Sequence, residues 1–112
     1  MKNSILISPY FEARLKKLKK KFPSLKEEIV ELINELIENP HLGTNLGANL
    51  YKIRVATKGK NSGKSGGFRV ITFLIKKSVD GNVINLITIY DKSEQDTITK
   101  EALLKLIKKI LA

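Results

Sequence analysis

The apolar residues of this chain change period twice, and that pattern limits the fold more than any other feature. From Phe11 to Ile37 they recur at steps of three and four. From Leu50 to Tyr90 they alternate or fall in β-branched runs, and from Leu103 to Ile110 the three-and-four spacing returns. Steps of three and four build one face of a helix, and alternation builds one face of a strand. The order is therefore helices, strands, helix, an α+β arrangement. With 112 residues, 42% of them hydrophobic, the chain fits one domain, residues 1–112, with enough apolar surface for a packed interior.

Asn3 to Ile7 reads as a short strand. Ser8 then offers an N-cap, and Pro9 a first helical residue whose missing N–H costs nothing. Phe11, Leu15, Leu18 and Phe22 form one apolar stripe, and Lys16, Lys17, Lys19, Lys20 and Lys21 a solvated face with auxiliary RNA or partner contact as the sharper option. Phe22-Pro23 breaks this helix. Ser24 and Glu27 have capping-box spacing for a second, whose stripe is Leu25, Ile29, Leu32 and Leu36, ending at Asn39-Pro40. Such a short link predicts an antiparallel helical hairpin. His41 to Asn49 is a polar loop, and Leu50–Thr57, Phe68–Lys77 and Val83–Tyr90 are three strands, the last two joined by a turn at Asp80-Gly81-Asn82. Thr99 caps a terminal helix with Leu103, Leu106, Ile107 and Ile110 on its apolar side. The expected fold is a small twisted antiparallel sheet, with the N-terminal hairpin and the C-terminal helix covering one face.

The charge is uneven. Of 21 Lys plus Arg and 11 Asp plus Glu, residues 51–77 hold eight bases and no acid, so eight of the ten net positive charges fall in about a quarter of the chain. A dense positive field suits a polyanion, nucleic acid first, although a basic surface also serves solubility alone. The absence of Cys removes disulfides, thiolate metal sites and cysteine nucleophiles. No apolar run approaches the ~20 residues that cross a bilayer, and Ile5-Leu6-Ile7 is too short for a secretory core. A cytoplasmic protein without a membrane partner is expected.

Gly59 to Ser65 looks like a phosphate-cradling P-loop, but only three residues separate Gly59 from Gly63-Lys64-Ser65, and a β-run follows where a helix is required. What remains is a basic hairpin loop whose Lys58, Lys60 and Lys64 meet RNA phosphates, with Lys76 further along. Alternation places Lys52 and Arg54 on one strand face and Tyr51, Ile53 and Val55 on the other. Arg69 and Lys92 lie where neighbouring strands could bring them to the same spot. Such a cluster can bind a phosphate or stabilise the added charge of a pentacoordinate transition state. His41 reads as a turn residue, and Asp91, Glu94 and Asp96 as capping groups more than magnesium ligands. Tyr90 either stacks on a base or fills the sheet.

Tyr51-Lys52-Ile53-Arg54, Gly63-Lys64-Ser65-Gly66-Gly67-Phe68-Arg69-Val70-Ile71 and Thr88-Ile89-Tyr90-Asp91-Lys92-Ser93-Glu94 together resemble the RelE/HigB superfamily of bacterial toxin–antitoxin toxins, the HigB-like branch most closely. The resemblance implies a toxin that cuts messenger RNA in the ribosomal A site, contacts ribosomal RNA there, and is neutralised by a cognate, DNA-binding HigA-like antitoxin. It also implies chemistry with no metal or cofactor, in which a ribose 2′-OH attacks the adjacent phosphate. Lys52 and Arg54 match the family's basic pair, Arg69 its arginine on the next strand, and Lys92 lies near a further basic position. The C-terminal catalytic tyrosine of RelE has no counterpart here: Ile98 stands in its place.

On this resemblance Lys52 takes the 2′-OH proton, Arg54 and Arg69 stabilise the phosphorane, and Lys92 serves the leaving 5′-oxygen. A lysine of ordinary pKa near 10.4 is neutral in about one molecule in 2,500 at pH 7, so the base needs its cationic neighbours to lower that value. Two alternatives share the sequence pattern: a ParE-like gyrase inhibitor without ribonuclease activity, and a non-catalytic RNA-binding module.

Overall fold

The computed structural model describes residues 3–56, 67–78, 81–92 and 98–111. Helix starts follow local chemistry. The Ser8 hydroxyl accepts the Phe11 N–H at 3.0 Å and donates to the Ile87 carbonyl at 3.0 Å, so one side chain caps α1 (Pro9–Lys21) and pins it to the sheet. Helix α2 (Leu25–Glu38) begins differently. Ser24 has helical backbone angles and makes no side-chain cap bond, so the expected capping box does not form. A tight turn, with the Leu25 N–H donating to the Phe22 carbonyl at 3.0 Å, enters the helix instead. Helix α3 (Lys100–Leu111) is capped by Thr99, whose hydroxyl accepts the Ala102 N–H at 3.1 Å.

Five strands, β1 (Ser4–Ile7), β2 (Thr44–Gly47), β3 (Leu50–Val55), β4 (Phe68–Ser78) and β5 (Gly81–Asp91), form one sheet in the order β1-β5-β4-β3-β2. The β3-β4-β5 meander matches the expectation from alternation. The sheet is nevertheless mixed, because β1 runs parallel to β5, pairing Ser4–Ile7 with Val83–Leu86. The helices α1 and α2 carry the chain from β1 to the opposite edge of the sheet at β2, and three successive antiparallel pairings then bring β5 back alongside β1 in the same direction. Part of the predicted 41–49 loop is a strand, β2, held to β3 through Thr44↔Lys52, Asn45↔Tyr51 and Gly47↔Leu50. The turn expected at Asp80-Gly81-Asn82 is tighter than that: Gly81 and Asn82 already pair with Ser78 and Lys76, and Asp80 lies outside the described residues.

The helices do not share one face. α1 and α2 bury Phe11, Leu25, Ile29, Leu32 and Leu36 against Tyr51, Ile53, Val55, Phe68, Val70 and Leu74. α3 packs on the opposite face, where Leu103 and Ile107 meet Leu50, Ile71, Ile87 and Tyr90. Each fully buried aliphatic side chain in these layers contributes about 1.5–3 kcal/mol. A bulge in β5 serves both layers. Thr72 pairs with Leu86 and Ile71 with Thr88, leaving Ile87 as the extra residue. Before it, Ile84 and Leu86 face α1 and α2; after it, Thr88 and Tyr90 face α3, because one added residue reverses the alternation.

Candidate functional site

The register of β3, β4 and β5 brings the predicted cations together. Arg54 is the direct cross-strand partner of Arg69, and Arg69 is in turn the partner of Tyr90. Lys52 lies two residues from Arg54 on the same face, about 7 Å along the strand. Lys92 is drawn to this end because its N–H donates to the Gly67 carbonyl at 3.1 Å. Gly67 has φ +88°, and a Cβ there would lie 2.9 Å from the Val55 carbonyl oxygen. Only glycine combines that backbone conformation with so close an approach of two strands. The three strand ends meet near Gly67, where Arg54 and Arg69 are paired and the Lys92 backbone is held.

Their exposures differ. Arg54 is exposed, Lys52 and Lys92 are half-buried, and Arg69 is 4% exposed. The Arg69 Nη1 donates to the Phe68 carbonyl at 3.3 Å. Its charge therefore acts from a buried position, beside a more open Arg54 on the neighbouring strand. Tyr90, for which base stacking and sheet filling were both open, fills the sheet: it is 1% exposed and presents no ring face to a base. Burial pushes its phenol above the usual value, against the pull of the Arg69 guanidinium and of a backbone hydrogen bond from Ile98. Lys76 is exposed and stands apart. Alternation puts it on the α1–α2 face, seven residues along β4 from Arg69, or roughly 23 Å. Lys58, Lys60 and Lys64 lie outside the described residues, as do Glu94 and Asp96.

His41 behaves as a turn residue. Its N–H donates to Asn39 Oδ1 at 3.3 Å, and its ring meets Tyr51 edge-on at 5.7 Å. Asp91 is buried, and among the described residues no three His, Cys, Asp or Glu side chains gather as a metal site. One basic residue has a role that its sequence context does not announce. Arg14 of α1 donates from Nε to the Ile89 carbonyl at 2.7 Å, on the β5 edge that β1 leaves uncovered beyond Leu86. Its place among the α1 lysines gives no sign of that bond.

A family model described as the RelE toxin of the RelE/RelB toxin–antitoxin system matches residues 10–111. The chain belongs to the RelE toxin family. It is also similar to a solved structure of a mutant E. coli toxin RelE in the free state, at 19% identity and a TM-score of 0.59, covering 98% of this chain and 99% of that one. That likeness supports the same α+β fold. Comparison with curated proteins gives no match. Within this RelE-family fold, Ile98, where the resemblance places RelE's catalytic tyrosine, is half-buried against the α3 core. The Ile98 backbone is hydrogen-bonded to the Tyr90 phenol. Among the described residues no helix is long and apolar enough to cross a membrane.

Proposed function

We propose that this RelE-family toxin is a metal-independent endoribonuclease that cuts messenger RNA on the ribosome and thereby stops translation, restrained by a cognate antitoxin. The observation that carries the reading is Arg54 set directly opposite Arg69, with Lys52 on the same face and Lys92 at the same strand end. A phosphate bound between two guanidiniums takes charge-assisted hydrogen bonds from both, which favours an anion at this spot. That preference grows as the phosphate gains charge in a pentacoordinate transition state, which is the requirement for catalysis rather than mere binding.

In this reading Lys52, in its neutral form, takes the 2′-OH proton while the 2′-oxygen attacks the adjacent phosphorus. Arg54 and Arg69 stabilise the phosphorane. The P–O5′ bond then breaks and the leaving oxygen takes a proton from Lys92, which gives a 2′,3′-cyclic phosphate and a 5′-OH. Induced expression, with mapping of message 5′ ends and of translation rate, tests the proposal. Arg54→Ala is the cleaner variant because Arg54 is exposed, whereas Arg69 is buried and its loss also disturbs the sheet. Cleaved messages that disappear with Arg54→Ala support the nuclease. Intact messages with arrested replication indicate a gyrase poison, and growth without toxicity an RNA-binding module.

A further inference from the structure

We propose that a cleft along the second half of α1, lined by Arg14, Lys17, Leu18 and Lys21, is a second phosphate site that holds RNA backbone flanking the scissile linkage; it rests on the nuclease reading above. The cleft encloses about 290 Å³, and among the described residues its lining has three cations and no acid. The cations stand at i, i+3 and i+7, one face of the helix, over a span of about 10 Å.

Arg14 is held in place before any ligand arrives. Its Nε bonds the Ile89 carbonyl at 2.7 Å and its guanidinium lies 5.9 Å from the Tyr10 ring centre, so little side-chain freedom is left to lose on binding. Two contacts place the cleft at the same end of the molecule as the Arg54–Arg69 pair. Ile89 directly precedes Tyr90, the cross-strand partner of Arg69. At the end of α1, Phe22 meets Phe68 edge-on at 5.3 Å, one residue before Arg69. Both contacts tie α1 to the end of β4 and β5 that carries Arg69.

The charge of the hairpin is uneven. Helix α1 carries six bases and one acid, and α2 carries five acids and one base. A polyanion leaving the site is drawn over α1 and repelled by α2. Stabilisation of the helix dipole accounts for the lysines of the last turn, but not for Arg14 and Lys17, which lie farther back.

The test is fluorescence anisotropy across a salt series, with a twelve-nucleotide single-stranded RNA and a three-nucleotide RNA as probes. Lys17→Glu/Lys21→Glu is compared with Lys16→Glu/Lys20→Glu, an equal charge change about 100° round the same helix; all four lysines are exposed. The first pair should weaken binding of the long RNA tenfold or more and make its salt dependence shallower, by about 0.7 in slope for each phosphate no longer neutralised. Binding of the short RNA should stay within twofold. Equal losses for the two double variants, equal losses on the two RNAs, or no loss at all would overturn the site. Binding is read without cleavage. A wild-type protein that binds in this length-dependent way but never cuts RNA would refute the nuclease and leave the cleft standing.

Discussion

Arg54, Arg69 and Tyr90 form one cross-strand row, and each occupies a different environment: open, buried beside a carbonyl, and buried in the core. Alternation alone shows that Lys52 and Arg54 share a face, but not that Arg69 is paired beside Arg54 and buried. Burial depends on what packs around a strand, and β4 is central in the sheet, between β3 and β5, a placement set by long-range pairing and not by alternation. Tyr90 gives a pH prediction. Its phenol is raised above 10.0 in the folded state, so the unfolded chain ionises first, and the stability it contributes is complete below pH 10 and is lost as pH rises towards the folded value. Melting temperatures from pH 8 to 11.5 should therefore fall more steeply for the wild type than for Tyr90→Phe; parallel curves would refute the assignment. Gly67→Ala should cost about 1–3 kcal/mol in urea unfolding, because the alanine must hold φ near +88° against the Val55 carbonyl.

Helices were legible as elements, since Phe11, Leu25, Leu32 and Leu36 fall on stripes that the structure buries. The face each helix covers was not. An amphipathic stripe states that α3 must pack but not where, although Leu50, Ile71 and Phe73, out of phase with Tyr51, Val70 and Leu74, were the signal of a second apolar face. Strand β2 escaped because four residues, Thr44–Gly47, carry no alternation and pair along a short register. Its hairpin to β3 turns through Ala48 and Asn49, at φ 53° and 63°. Asparagine tolerates this left-handed region and alanine does not. Ala48→Gly should therefore stabilise the protein by about 0.5–1 kcal/mol, the relief of strain exceeding the entropy glycine adds to the unfolded chain. A lower denaturation midpoint for that variant would contradict the turn geometry.

Across the whole molecule, the fold sorts charge that the sequence only clusters. Lys76 belongs to the acid-free 51–77 segment, yet β4 carries it to the opposite face and far end from Arg69. Lys76→Ala should leave RNA cleavage within twofold, a useful control for any variant near the strand ends. The account stands on Arg54 and Arg69 acting on one phosphate, and the direct measurement is single-turnover cleavage of message on programmed ribosomes, with chemical identification of the new ends. The wild type should leave 2′,3′-cyclic phosphate and 5′-OH ends, and Arg54→Ala should slow that step by about a hundredfold or more without loss of fold. Cleavage by Arg54→Ala at a rate within threefold of wild type, or ends bearing a 5′-phosphate, would contradict it.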